Sequence, residues 1–334
     1  MREALFYKIT RVTPYLISAA SLIFAAQFLF ETIQSSLFNT NALWIGIVIF
    51  LSLCTIIGLR GEFKFVRQIK LSSEDFLFAD LIKSMLVVIL NVMATHLVAV
   101  YFQTTTIFAA SLVCVISAYT IPSRQPEAYS GSCGGMIGAY LSSHWSIALL
   151  VGIMTGLVYI LFKPYFLGVG GRGGSLPYTA TILTIRLILD VTPESSTPIH
   201  SDLIAPAFVT LIAVAFLTYL LHKNNILSVV KAAMVVSLVL TLLIPLNYYS
   251  ITTAMFAGTI VGMTLEERLD GYLHLLVICL ICFLLFVPSF HILDGIGGKL
   301  GMLCLVSYYS SNGLKIVIQY FQHLLTKLTE ILSI

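Results

Sequence analysis

The feature that most limits this chain is a series of long apolar runs with almost no charge inside them. Eight such runs span 15–36, 42–59, 81–102, 104–121, 146–163, 203–221, 227–248 and 272–288. A helix rises about 1.5 Å per residue and a bilayer's hydrocarbon core is about 30 Å thick, so each run is long enough to cross as a helix. Four further apolar pieces, 131–142, 176–191, 253–264 and 300–310, are shorter. Pieces of that length read as re-entrant, broken or buried helices, tolerated at membrane depth where protein or a water-filled cavity covers their backbone. The composition agrees: 58% of the residues are apolar and 10% charged, against about 25% charged in an ordinary soluble domain. The chain therefore reads as an all-α integral membrane protein of about 10–12 transmembrane elements. That excludes a soluble enzyme, a nucleic-acid reader and a disulfide-stapled secreted domain.

The placement of charge suggests an orientation. If all twelve pieces cross, both termini lie on the cytoplasmic side. Sixteen of the 18 lysines and arginines then fall inside or at the inner boundary, Arg186 and Lys299 being the exceptions. This is the pattern of the positive-inside rule, and it predicts a multi-pass protein of the cell inner membrane. No cleavable signal peptide is read at the amino terminus. The six cysteines make no paired framework. Cys279 and Cys282 read as C-x-x-C, but within ICLICFLLF they are expected to be buried small hydrophobes rather than a metal or redox site. No cofactor, metal or nucleic acid is expected.

The most specific signal is self-similarity at an offset of 124 residues. KPYFLGVGGRGGSL (163–176) aligns with VPSFHILDGIGGKL (287–300), and 134–176 shares 12 identities in 43 positions with 258–300. Five of the six glycines in the second window fall on glycines of the first. Shared hydrophobicity alone would not align glycines and prolines, so the pattern points to duplication. The predicted organisation is two N-terminal helices with an interfacial loop (1–78), a first repeat (79–192), a second repeat (202–311) and a C-terminal amphipathic helix (312–334). Each repeat holds five elements, with a short broken helix and a Gly-rich loop. An odd number of crossings puts the copies in opposite orientation, the arrangement found in secondary transporters. The alternative is a duplication retained for stability alone.

Matching Gly-interrupted segments are the best pointer to a central site. On that argument the expected solute-binding residues are Ser130, Ser132, Gly134 and Gly135 in the first short piece. Gly171, Arg172, Gly173, Gly174 and Ser175 follow in the first Gly-rich loop. Thr252 and Thr253 belong to the second short piece. Asp294, Gly295, Gly297, Gly298 and Lys299 belong to the second loop. Glycines let backbone N–H groups point into one space and helix starts add positive potential, so an anion held with Arg172 or Lys299 is one reading. The other is that the glycines permit close helix crossing, and that the hydroxyls cap helices. Gly168-Val-Gly170-Gly171-Arg172-Gly173 formally matches a dinucleotide fingerprint, but it follows a membrane span rather than a strand. Gly298-Lys299 is not part of a Walker motif, since Leu293 and Leu300 occupy the required glycine and hydroxyl positions.

Ionisable groups at membrane depth are costly and tend to be functional. Asn91 and His96 sit mid-span and could relay a proton or make interhelical hydrogen bonds. Arg186 and Asp190, four residues apart, are expected to pair on one helix face as a gate or a neutral couple. From 313 to 334, Leu314, Val317, Ile318, Phe321, Leu324, Leu325, Leu328, Ile331 and Leu332 recur at helical spacing opposite Lys315, Gln319, Gln322, Lys327 and Glu330.

Three functions are carried forward. The first is a secondary transporter or channel for a small polar solute, anions included, with membrane lipid and the solute as its partners. The second is a membrane subunit of an envelope or polymer synthesis and export complex. A Gly-centred short segment followed by a span, as at 131–176, resembles the small membrane subunit of poly-γ-glutamate synthases; the resemblance implies a polymer-handling complex and carries no residues over. The third is an integral-membrane enzyme, whose nearest nucleophile candidate is Cys133 in SGSCGG; paired-aspartate, HExxH and GxSxG motifs are absent from the sequence. A homo-oligomer would favour the first, and a membrane-complex partner the second.

Overall fold

The computed structural model describes residues 23–34, 42–68, 78–138, 145–163, 165–191, 196–245 and 248–332, and these are mostly helical with no strand among them. Expectations for the amino terminus, for the 69–77 loop and for 139–144 lie outside the described residues. The chain builds α1 (23–34), α2 (Ala42–Gln68), α3 (Phe78–Tyr101), α4 (Thr106–Thr120), α5 (Gln125–Gly134), α6 (Trp145–Leu161) and α7 (Arg172–Ile182). After α7 comes a π-helical turn, Leu183–Ile188. Then follow α8 (Ser201–Lys223), α9 (Val229–Leu243), α10 (Tyr249–Gly262), α11 (Tyr272–Ser289) and α12 (Lys299–Leu332).

Four segments are long and apolar enough to cross a membrane: Leu43–Glu62, Ala79–Tyr101, Ser201–Lys223 and Tyr272–Ser289. Three shorter apolar helices, α4, α6 and α9, stand among them. Large apolar side chains cover the outside, among them Leu90 (64% exposed), Val209 (63%) and Leu273 (73%). Such a surface is unstable in water and compatible with lipid.

Packing follows a regular plan. α3 lies against α4, α5 and α6, and α8 lies against α9, α10 and α11. α5 and α6 flank α7, while α10 and α11 flank α12. α4 meets α9, where Ser111 and Ser237 share a hydrogen bond of 2.7 Å. α7 meets α12, and α2 runs along α12. The small residues explain the tightness. A Cβ on Gly131 or Gly135 would stand 2.5 Å from the Val88 or Val92 carbonyl of α3. One on Gly258 or Gly262 would stand 2.4 Å from the Leu211 or Ala215 carbonyl of α8. Each short helix thus seats a pair of glycines four residues apart directly on its long neighbour, the small-residue packing that membrane helices use in place of hydrophobic collapse.

Two faces of the bundle can be told apart by their contacts. On the ion-pair face, Asp80 at the start of α3 binds Arg124, and Lys163 beyond α6 reaches Asp80 at 2.9 Å. Lys223 meets Glu266 at 2.8 Å, Arg268 meets the buried Glu62 at 2.9 Å and Lys315 meets Asp270 at 2.6 Å. Ser228, between α8 and α9, donates to Gln125 at 2.6 Å, which brings the end of α8 to the face where α3 begins. The opposite face carries the turn from α3 to α4, the start of α10 and the end of α11.

Several element boundaries depart from the sequence reading. The short piece expected at 131–142 is a helix that starts six residues earlier, at Gln125. Its polar opening, Gln125 to Glu127, survives at the bundle edge because Arg124 and Ser84 bind Glu127 at 3.3 and 3.1 Å. The 300–310 piece and the C-terminal amphipathic segment are one continuous helix, α12. Asn312-Gly313 does not end it, because Gly313 fits against the Cys54 carbonyl, which a Cβ would approach to 1.8 Å. Residues 60–68, expected to belong to an interfacial loop, extend α2.

Candidate solute site

The Gly-rich loops enter α7 and α12 in the same manner. Arg172, first in α7, turns back over its loop: Nε donates to the Tyr165 carbonyl at 2.7 Å and a terminal nitrogen to the Lys163 carbonyl at 2.6 Å. Lys299, first in α12, donates to the Ile292 carbonyl at 2.5 Å and to the Phe290 carbonyl at 2.7 Å. Each cation therefore binds the carbonyls seven and nine residues before it. Those carbonyls lie beyond the end of the preceding helix, where no intrahelical donor reaches them. The guanidinium also lies 5.8 Å from the Tyr159 ring centre.

Between the two loops α7 and α12 cross at glycines. A Cβ on Gly301 would fall 2.3 Å from the Gly174 Cα, and one on Gly298 would fall 2.1 Å from the Gly174 carbonyl oxygen. Gly171 and Gly298 also have positive φ, 95° and 80°, which disfavours a side chain there whatever the space. The two loops are held at different faces. Around 168, the Gly168 carbonyl accepts from the Leu265 N–H at 2.9 Å and Arg268 donates to the Leu167 carbonyl at 2.9 Å. Around 295, the Gly295 carbonyl accepts from the Gly138 N–H at 2.9 Å and the His291 carbonyl from the Ser196 N–H at 2.8 Å.

The second loop walls a cavity of about 380 Å³. Its other walls are the turn into α4, with Thr104 and Thr105, the start of α10, with Tyr249 and Thr253, and the end of α11, with Phe286 and Phe290. Asp294 and Lys299 also line it, as do Cys133 and Met136 from the first half of the chain. Thr105 caps α4 by accepting from the Phe108 N–H at 3.2 Å. Thr253 donates to the Tyr249 carbonyl at 2.7 Å, and Asp294 accepts from the Gly295 N–H at 3.0 Å. The Thr104 hydroxyl is enclosed without a hydrogen-bond partner. A polar atom in that condition costs stability until a solute or water meets it.

Of the residues the sequence singled out, Thr253, Asp294, Gly295, Gly298 and Lys299 line this cavity. Gly297 packs on the Gly134 carbonyl, and Gly134 faces Pro177 and Thr155. Gly135 faces Thr95, Gly173 faces the Tyr129 ring, and Gly171 and Gly174 face Gly301. Ser175 donates to the Arg172 carbonyl and Thr252 to the Tyr248 carbonyl. Ser130 is fully buried without a partner for its hydroxyl. Asn91 gathers Ser117 at 2.8 Å and the buried Ser132 at 3.4 Å, tying α3 to α4 and α5; His96 is buried on the same helix.

One expected pair is corrected. Arg186 binds Glu31 of α1 at 2.5 Å, while Asp190 is exposed with a positive φ of 51°. The π-helical turn at 183–188 shifts the register, so the i,i+4 spacing no longer puts the two side chains on one face. The ion-pair cluster of Asp80, Arg124, Glu127 and Lys163, and the Glu62–Arg268 pair, were not anticipated. Nothing local announces them, since the Asp80 and Glu62 partners are far away in sequence; a buried Glu in an apolar helix is the one available signal. All six cysteines are buried free thiols. Among the described residues, no three His, Cys, Asp or Glu side chains gather as metal ligands. Comparison with family models, curated protein sequences and solved structures finds no match.

Proposed function

We propose that this protein is a secondary transporter or channel that passes a small polar solute between two inverted five-helix repeats, α3–α7 and α8–α12. The observation that carries this reading is the cavity at the second Gly-rich loop. It is lined by polar and aromatic side chains drawn from both halves of the chain. At about 380 Å³ it matches the size of small-molecule sites.

The repeat reading is supported by element spacing. The helices beginning at 78, 106, 125, 145 and 172 are followed by helices beginning at 201, 229, 249, 272 and 299. The opposite orientation of the halves is supported by the Ser228–Gln125 bond, which sets the end of α8 beside the start of α5. The basic residues Arg124, Lys163, Lys223, Arg268 and Lys315 all make their ion pairs on that face. This supports a cytoplasmic ion-pair face and insertion in the inner membrane. Arg172 and Lys299 both bind loop carbonyls, so an anionic preference rests on the helix starts around the cavity, with Asp294 opposing it.

The test is uptake of a panel of radiolabelled anions, cations, zwitterions and neutral polyols into proteoliposomes. Transport of at least one class, reduced about tenfold or more by Asp294→Asn or Lys299→Met with the protein still folded, is the expected result. No uptake of any class would sink the reading. A second reading, a subunit of an envelope or polymer-export complex, is favoured by the outer half of α12. There Phe321, Leu325 and Leu328 are more than half exposed. Gentle purification with mass spectrometry of co-purifying chains separates the two: a synthase or ATPase in fixed ratio supports the second.

A further inference from the structure

We infer that the cavity at Asp294 receives the ammonium group of a small cationic solute. The inference names a solute class for the site described above and rests on that cavity being the solute site. The two Gly-rich loops serve as controls for each other. Their backbones match at an offset of 127 residues, rather than the 124 of the aligned sequence windows. Positive φ falls at Phe166, Gly168 and Gly171 in the first loop (57°, 78° and 95°) and at Leu293, Gly295 and Gly298 in the second (52°, 69° and 80°). The cation that turns back over the loop matches as well, Arg172 in one and Lys299 in the other. Features common to both loops are those the loop needs in order to close. In this register Asp294 stands where the first loop has Leu167, which is 47% exposed. The carboxylate is therefore not required to build the loop. It lines a cavity beside the buried Leu293, in surroundings where charge is costly and tends to be functional.

The charge offered to a solute here is negative. The Lys299 ammonium is turned onto the Phe290 and Ile292 carbonyls. The helix starts, which alone would favour an anion, are engaged by the chain itself. In α4 the Phe108 N–H donates to Thr105, and in α12 the Gly301 and Met302 N–H groups donate to the Gly298 carbonyl at 2.9 and 3.2 Å. Asp294 accepts from the Gly295 N–H at 3.0 Å. A carboxylate has about four acceptor sites, so that bond orients the group without saturating it. Tyr249, Phe256, Phe286 and Phe290 line the same cavity. The Phe290 ring lies 5.5 Å from that of Phe286 and 6.2 Å from that of Tyr249, one aromatic wall from the end of α11 to the start of α10. The face of such a ring attracts a cation within about 6 Å and offers an anion nothing. The enclosed Thr104 hydroxyl adds a further acceptor that has no partner of its own. A carboxylate, an aromatic wall and a spare hydroxyl oxygen together suit an alkylammonium ion.

The test is isothermal titration of the full chain in detergent with three probes of similar size, 2-aminoethanol, ethylene glycol and glycolate. At neutral pH they are a cation, a neutral molecule and an anion. Aminoethanol is expected to bind about tenfold or more tighter than either of the others, the worth of one charge-assisted hydrogen bond. Asp294→Asn preserves the size of the side chain and its bond to Gly295, and is expected to erase that preference. Asp294→Leu, which installs the residue of the first loop, should erase it too. Tighter binding of glycolate, equal binding of the three, or binding of none overturns the inference on the unmodified chain alone, whether or not the variants fold. A preference that survives Asp294→Asn in folded protein overturns the assignment to this carboxylate. Aminoethanol binding without uptake of any solute into proteoliposomes would keep the ammonium site and remove the transport reading. Uptake with no preference for cations would do the reverse.

Discussion

Arg172 and Lys299 carry charge into a region where charge is expensive, and both spend it on backbone carbonyls. A carbonyl deprived of its partner in such a place costs about 1–3 kcal/mol. Arg172→Ala strands the Tyr165 and Lys163 carbonyls and is expected to destabilise the protein by about 2–4 kcal/mol, with Arg172→Lys recovering part. Thermal unfolding in detergent checks this, and equal stability of Arg172→Ala and wild type would remove the role. At the surface, Asp270 is hydrogen-bonded to Lys315, which holds its carboxyl below the ordinary value of 3.8. A carboxylate depressed on folding adds stability that is present above its unfolded pKa and lost as pH falls through the folded one. Asp270→Asn is thus expected to lower Tm at pH 6, and the difference from wild type to close once the pH drops below about 4. A gap that stays constant across that range would mean that the bond does not contribute.

At the scale of elements, glycine decides which helices touch. Gly301→Ala must push α7 and α12 apart and is expected to cost about 1–3 kcal/mol. Gly61→Ala, exposed in α2 with nothing within 4 Å of an added Cβ, is expected to stabilise by about 0.5–1 kcal/mol through helix propensity alone. Parallel melting curves of the two variants check both signs. Most helices were legible because apolar length and glycine spacing are local properties. The start of α5 was not, because Gln125-Pro126-Glu127 reads as a polar loop until Ser84, brought from 43 residues away, binds the carboxylate. The continuity of α12 was hidden for a similar reason: Asn-Gly is a stop signal in isolation, and only the presence of Cys54 against Gly313 overrides it. In the candidate site, the second loop was found and Thr104 and Tyr249 were missed. Thr104 lies in the turn before α4 and Tyr249 opens α10, and only the fold brings them beside Asp294.

For the whole molecule, the asymmetry between the two halves matters more than their likeness. At the loops Arg172 matches Lys299, each binding the carbonyls seven and nine residues before it. Asp294 stands where the first half has Leu167, so this carboxylate on the cavity wall belongs to one half alone. Asp294→Leu is therefore expected to make the two loops more alike and to weaken solute binding at the cavity. Isothermal titration with whichever solute class proves to be transported measures this, and unchanged affinity would exclude Asp294 from binding.

α12 is one rigid rod that begins at the glycine crossing and continues to Leu332. A rod pivoted near one end works as a pointer. From Gly301 to the tip is about 46 Å of helix at about 1.5 Å per residue, so a tilt of about 10° at the pivot swings the tip by roughly 8 Å. A rearrangement too small to notice among the packed glycines would thus be displayed, magnified, outside the bundle, where a neighbouring protein could read it.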